Sequence, residues 1–260
     1  MIQRTNILGV GVSAITMQLA TAAIEGWIAQ RERQYVCVTN VHVVMECQRD
    51  PALRRVLNQA GMVTPDGMPL VWVSRMYGQK QVRRVYGPDL LLEMCAISAQ
   101  KGYRSYFYGG AEGVPDLLAS KMTARFPGLQ IVGFESPPFR KLTPEEDQAA
   151  VDRINRARPD LLWVGLGAPK QEHWLAAHLG RVEAPVMLGV GAAFDFHAGN
   201  KKQAPHWLQN AGLEWAFRFA SEPRRLWKRY LLYNPWFVGL VLLQSLGLKR
   251  YPLGDESEQV

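Results

Sequence analysis

The chain has 260 residues, 48% of them hydrophobic and 20% charged, enough apolar mass to bury a core and too much for a disordered chain or a coiled coil. Its 23 glycines and 16 prolines are ordinary numbers and exclude collagen-like or low-complexity sequence. With 30 Lys and Arg against 23 Asp and Glu, net +7, an anionic partner is expected: nucleic acid, an anionic membrane or a phosphorylated ligand.

In chain order, apolar runs at 5–10, 35–40, 62–64, 105–108, 130–134, 161–164 and 186–190 predict short strands buried on both faces. Helical patterns fall between them, at 14–30, 41–50, 51–58, 69–77, 88–101, 113–126, 144–157, 169–178 and 205–211. Proline opens many of these helices, where its missing N–H costs nothing. The alternation predicts an α/β fold, a Rossmann-like parallel sheet flanked by helices. The opening segment lacks a basic stretch leading into an apolar one and reads as strand and turn, not signal peptide. Cys37, Cys47 and Cys95 have no CxxC spacing, so neither a disulfide framework nor a zinc site is expected, and a reduced cytoplasmic setting fits.

The C-terminal part differs. Residues 1–217 hold 23 basic and 19 acidic side chains, 218–251 hold seven and one, and 252–260 add three acids. The basic block interleaves its arginines with Trp, Phe and Leu. Its apolar stretch at 230–248 is interrupted by Asn234, Pro235 and Gln244, so it predicts an interfacial amphipathic element and not a bilayer span. The organisation expected is a core over 1–212, a basic aromatic-rich appendage over 213–251 and an acidic tail over 252–260.

Four motifs carry chemistry. GVGVSA at 9–14 imitates a dinucleotide-binding turn, but the next strand ends in Thr39 and Asn40 where an acid would bind ribose. TPDGMPLVW places Asp66 before Gly67, either a simple turn or a loop-borne general base. LLWVGLGAPKQEHWL runs a buried strand into a helix carrying Lys170, Gln171 and Glu172; strand ends and helix N-termini of this kind suit an anionic ligand. VMLGVGAAFDFHAGNKKQAP sets Asp195 and His197 in an apolar, glycine-punctuated loop. With Gly109-Gly110 after another strand, these glycine turns suggest one phosphate-bearing ligand. HxH, HExxH and DxD are all absent, so neither a metal nor another cofactor is expected.

Taken together, VTN, TPDGMPLVW, RVYGPDLL, YFYGGAEGV, PGLQIVG, RPDLLWVGLGAPKQEHWL, GVGAAFDFHAGNKKQAP and GLEWAFRFASEPRRLWKRYL resemble the WecG/TagA/CpsF glycosyltransferases, family 26, over about 35–235. The resemblance implies an inverting, metal-independent enzyme. It would move a hexose (glucose, N-acetylmannosamine or its uronic acid) from a UDP-sugar to a polyprenyl-diphosphate-linked saccharide at the inner membrane face. On this reading the protein is cytoplasmic and peripheral on the plasma membrane, and a homo-oligomer is compatible with it. The family's catalytic aspartate falls on Asp66, its pocket asparagine on Asn40 beside Thr39, and its PKQE glutamine on Gln171. Its appendage arginines match Arg218, Arg224, Arg225 and Arg229. Thr39, Gly109, Gly110, Lys170, Glu172, Asp195, Arg218 and Arg225 are expected to bind substrate. Trp227, Lys228, Arg229, Trp236 and Phe237 are expected at an anionic leaflet. A nucleotide-dependent oxidoreductase built on the 9–14 turn is the alternative. No nucleic-acid partner is expected, because the tryptophans fall at apolar helical positions.

Overall fold

In the computed structural model, which describes residues 2–253, Leu8 and Gly9 carry φ of 54° and 82°. Two successive positive φ angles mark a two-residue hairpin turn whose twist matches its strands. It joins β1 (Arg4–Ile7) to β2 (Val10–Ser13) in antiparallel register, Ile7 opposite Val10. Two expectations are corrected here. Residues 5–10 are not a strand of the parallel sheet, and 9–14 is not a turn into a helix. Gly11 lies within β2, its N–H donating to Asn58 Oδ1 at 2.9 Å. The fingerprint reading, and the oxidoreductase alternative built on it, lack the strand–turn–helix context they require.

The chain continues through α1 (Met17–Gln30), β3 (Gln34–Thr39), α2 (Val41–Glu46), α3 (Pro51–Gln59), β4 (Met62–Pro65), α4 (Met68–Met76) and α5 (Gly87–Lys101). Then come β5 (Arg104–Gly109), α6 (Val114–Arg125), β6 (Gln130–Glu135), α7 (Pro144–Ala157), β7 (Leu161–Gly165), α8 (Lys170–His178) and β8 (Val186–Gly189). The C-terminal helices are α9 (Ala193–Ala198), α10 (His206–Asn210), α11 (Glu214–Ser221), α12 (Pro223–Trp227) and α13 (Tyr233–Ser245), with a π-helical turn at Lys228–Leu232. Residues 193–198, expected as loop, are helical because Gly199 at φ 84° supplies a left-handed C-cap. The helix expected at 41–50 stops at Glu46, and Asp50 instead caps α3, its carboxylate accepting from Leu53 N–H at 3.1 Å. At α7, Thr143 and Glu146 form a capping box ahead of Pro144.

The six-stranded sheet has the order β4-β3-β8-β7-β5-β6, and the pairs β3–β8, β8–β7, β7–β5 and β5–β6 are parallel. Helices cover both faces, so the strands are apolar without alternation: Leu161, Leu162, Trp163 and Val164 of β7 are all fully buried. Contacts divide the chain into two units. The first combines the N-terminal hairpin, residues 38–86 and the chain from 202 onward; the second holds 18–37 and 87–201.

Within the first unit, α13 turns Phe237, Leu240 and Val241 inward. Gln244, which breaks the apolar run in the sequence, answers the hairpin turn: its Oε1 accepts from Leu8 N–H at 3.0 Å and its Nε2 donates to the Asn6 carbonyl at 3.1 Å. Asn58 Nδ2 donates to the Leu253 carbonyl at 2.9 Å, so the chain end is tied to the same place. No helix among the described residues is long and apolar enough to cross a membrane. Most of the acidic tail expected at 252–260 lies outside the described residues.

Candidate active site

An open pocket of about 570 Å³ lies wholly within the first unit. Asn40, His42, Asp66, Gly67, Arg84 and Arg218 are among the residues that line it. Asn40 is the N-cap of α2, its Oδ1 accepting from Val43 N–H at 3.4 Å. Thr39, fully buried at the end of β3, offers its carbonyl to the Asp66 N–H at 2.9 Å. A second bond, from Arg84 Nε to the Asp66 carbonyl, fixes the loop from the other side. The Asp66 carboxylate therefore sits on a pinned backbone at a pocket wall, with Gly67 leading into α4. A carboxylate held this way, next to space for a ligand, can take a proton from a hydroxyl.

Arg84 and Glu214 are the pocket's unforeseen members. Their side chains are 16% and 13% exposed and form an ion pair. Arg84 also donates to Gln209 Oε1 at 3.2 Å, and its guanidinium lies 3.9 Å from the centre of the Tyr86 ring. Tyr86 donates its hydroxyl proton to Glu214 Oε1 at 3.2 Å. Burial works against the Arg84 charge, but Asp66 and Glu214 outweigh it, and the guanidinium is held more firmly protonated than usual. Burial, with Glu214 and Asp66, pushes the Tyr86 phenol far above its ordinary value. Arg218 lies one turn beyond Glu214 on α11, 4.0 Å from its carboxylate. No spacing in the sequence links Arg84 to Glu214, 130 positions away. Only the i,i+4 relation of Glu214 and Arg218 was readable.

The second unit holds Gly109, Gly110, Lys170, Gln171, Glu172 and Asp195. Gln171 and Glu172, 3% and 0% exposed, occupy the first turn of α8, and Gln171 Nε2 donates to Glu172 Oε1 at 2.9 Å. Burial raises the Glu172 carboxyl above the usual range. Lys170 is exposed. Gly109 has a packing reason for its identity: at φ 125°, a Cβ there would sit 2.6 Å from the Gly165 backbone. Gly110 donates its N–H to the Gly165 carbonyl at 2.9 Å. Asp195 pairs with Lys201 at 3.3 Å, and His197 Nε2 bonds to the Pro88 carbonyl at 2.9 Å, a structural pin. Among the described residues no group of three or more His, Cys, Asp or Glu is placed to hold a metal ion.

On the C-terminal block, Trp227 and Trp236 are 44% and 42% exposed. Phe237 is 3% exposed and packs inward, so it is not a surface residue as expected: it shares the inward stripe of α13 with Leu240 and Val241. The side chains of Arg225, Lys228 and Arg229 lie outside the described residues.

The sequence profile of the glycosyl transferase WecG/TagA/CpsF family matches residues 5–251. Among curated relatives, an N-acetylglucosaminyldiphosphoundecaprenol N-acetyl-beta-D-mannosaminyltransferase of Bacillus spizizenii is 27% identical over 233 residues, covering 90% of this chain and 88% of its own. A protein of the same name from Bacillus subtilis is 28% identical, covering 90% of each chain. One from Staphylococcus aureus is 28% identical, covering 87% of this chain and 86% of its own.

Proposed function

The chain belongs to the WecG/TagA/CpsF family of glycosyltransferases, and on that premise we propose that it moves a hexosyl group from a UDP-sugar onto a saccharide carried by a polyprenyl diphosphate, with inversion. The observation that carries this reading is Asp66, a carboxylate on a backbone pinned at both its N–H and its carbonyl, facing a pocket also lined by Asn40, Arg84 and Arg218. The acceptor hydroxyl attacks the anomeric carbon and gives its proton to Asp66 while the bond from that carbon to the diphosphate oxygen breaks. Charge gathers on the departing UDP and is offset by Arg218. Arg84 is already matched by Glu214 and Asp66, so its part is to hold the Asp66 loop. Asn40 orients a sugar hydroxyl at this pocket; in the second unit, Gln171 of the PKQE motif is taken to bind a sugar hydroxyl, with Lys170 as the spare cation.

The relatives' names support the lipid-linked acceptor and, for the sugar, N-acetylmannosamine. The C-terminal block supports docking on the inner leaflet. Leu231, Leu232, Trp236, Val238, Leu242, Leu246 and Leu248 are 42–71% exposed within a segment that carries seven basic residues and one acid over 218–251. The test is UDP release by purified protein given N-acetylglucosaminyl-diphosphoundecaprenol and, in turn, UDP-N-acetylmannosamine, its uronic acid and UDP-glucose. Release that needs both substrates is expected with one donor; no acceptor-dependent release with any of them overturns the reading.

A further inference from the structure

Glu172 is a fully buried carboxyl group that the mechanism above does not use. It makes no ion pair among the described residues, and the strands packed against α8, β7 and β8, present no titratable side chain. Burial raises its carboxyl and outweighs the lowering effect of His173, its neighbour on α8. An isolated carboxylate is costly in such surroundings and keeps its proton instead.

Two atoms in this place lack a hydrogen-bond partner: Glu172 Oε2 and Gln171 Oε1. The remaining polar atoms of the same two side chains already meet, Gln171 Nε2 donating to Glu172 Oε1 at 2.9 Å. A carboxylic acid and a primary amide each carry a donor and an acceptor on two atoms that share one carbon, the amide having a second N–H besides. A proton on Glu172 Oε2 makes that oxygen the donor, and Gln171 Oε1 is the acceptor left over. One proton thus answers both unpaired atoms. The walls hold the amide closely. A Cβ at Gly189 would lie 3.3 Å from Gln171 Cδ and Nε2, and one at Gly191 would lie 3.5 Å from Gln171 Oε1.

We propose that Glu172 is a neutral carboxylic acid that closes an acid–amide ring with Gln171, and that it is a positioning residue fixing which way the Gln171 amide faces. The ring uses one N–H of the amide and its carbonyl. The second N–H is left pointing away from Glu172, as a donor to a sugar oxygen. This last step rests on the proposed role of Gln171 in binding the sugar; the protonation and the ring do not.

The variants Glu172→Gln and Glu172→Leu test it in the full-length protein. Gln at 172 restores the ring as an amide–amide pair, so kcat/KM should stay within about threefold of wild type. Leu leaves the Gln171 amide without partners, and kcat/KM should fall by roughly 10–100-fold. An ionised Glu172 acting as a base would instead lose about 10²–10⁴-fold in Glu172→Gln, and that result overturns the proposal. Two readouts do not depend on activity. The infrared difference spectrum of wild type minus Glu172→Gln at pH 7 should contain the carbonyl stretch of a protonated carboxyl. Because a carboxyl raised in the fold costs stability as pH rises above its unfolded value, Glu172→Gln should melt higher than wild type at pH 8, with the gap closing as pH falls towards 5. A carboxylate band in place of the protonated one, or a wild type that gains on Glu172→Gln as pH rises, refutes the neutral acid whatever the donor assay shows. If the neutral acid is confirmed but no donor sugar is used, the ring stands and only the sugar-binding role of Gln171 falls.

Discussion

Arg84–Glu214 in the first unit and Gln171–Glu172 in the second bury acidic groups by opposite means. Glu214 is met by the Arg84 guanidinium and by the Tyr86 hydroxyl, and Arg84 in turn balances Asp66. Glu172 makes no ion pair among the described residues, and burial raises its carboxyl above the usual range. The first arrangement maintains a fixed pattern of charge at a pocket wall, as a group that must accept a proton from a ligand requires. The second keeps charge away and leaves only directional hydrogen bonds, which suit the orientation of a neutral sugar.

Substitution at the ion pair should show the larger effect. Arg84→Met leaves Glu214 buried without its close cation, Arg218 standing off at 4.0 Å, and should cost about 3 kcal/mol of stability, read by urea denaturation. Arg84→Met combined with Glu214→Leu should recover most of that stability but not activity, because the Asp66 carbonyl has lost its bond from Arg84. A double variant with normal turnover would mean that the cluster is mere packing. Arg218→Ala, at a half-buried position 4.0 Å from Glu214, should lower kcat by roughly 10–100-fold while leaving vesicle binding unchanged. The complementary change, Trp236→Ser on α13 with Leu246→Ser at its C-cap, should weaken co-sedimentation with anionic vesicles about tenfold and leave turnover on a soluble, short-chain acceptor intact. Loss of vesicle binding in Arg218→Ala, or its retention in the α13 variant, would reverse these two assignments.

The smallest expected effect is one of pH. His178 stacks on Trp174 at 3.8 Å and bonds to Asp147 at 3.1 Å. Burial pulls its pKa below the ordinary value, against the opposing pull of the Trp174 carbonyl and Asp147. The fold therefore favours the neutral ring. Its contribution is complete above the unfolded value near 6.5 and is lost as pH falls below it. Wild type should lose a few degrees of melting temperature between pH 7 and 5.5 that His178→Phe does not lose.

Much of the fold was legible because its strands are short apolar runs and its helices begin at prolines. At 144–157 the expected helix and α7 coincide. The hairpin was not legible, because Leu8 is an unusual residue at positive φ and concealed a turn that Asn-Gly or Asp-Gly would have announced. Nor was α9, six residues long and apolar among glycines. Of the candidate site, Asp66 and Asn40 could be placed from motifs that resemble a family. Arg84 and Glu214 could not, since charge pairing across 130 positions leaves no local pattern. Phe237 shows the reverse limit: an aromatic in a basic apolar helix reads as a membrane anchor until its neighbours show which side is covered.

The most direct test of the account is Asp66→Asn, measured for turnover and for UDP binding on the same preparation. Asn keeps the shape of the side chain and the backbone pinning from Thr39 and Arg84 but cannot accept a proton from the acceptor hydroxyl. The account predicts UDP affinity within a few-fold of wild type and turnover lower by about 10²–10⁴-fold. Wild-type turnover in a folded Asp66→Asn protein would contradict it.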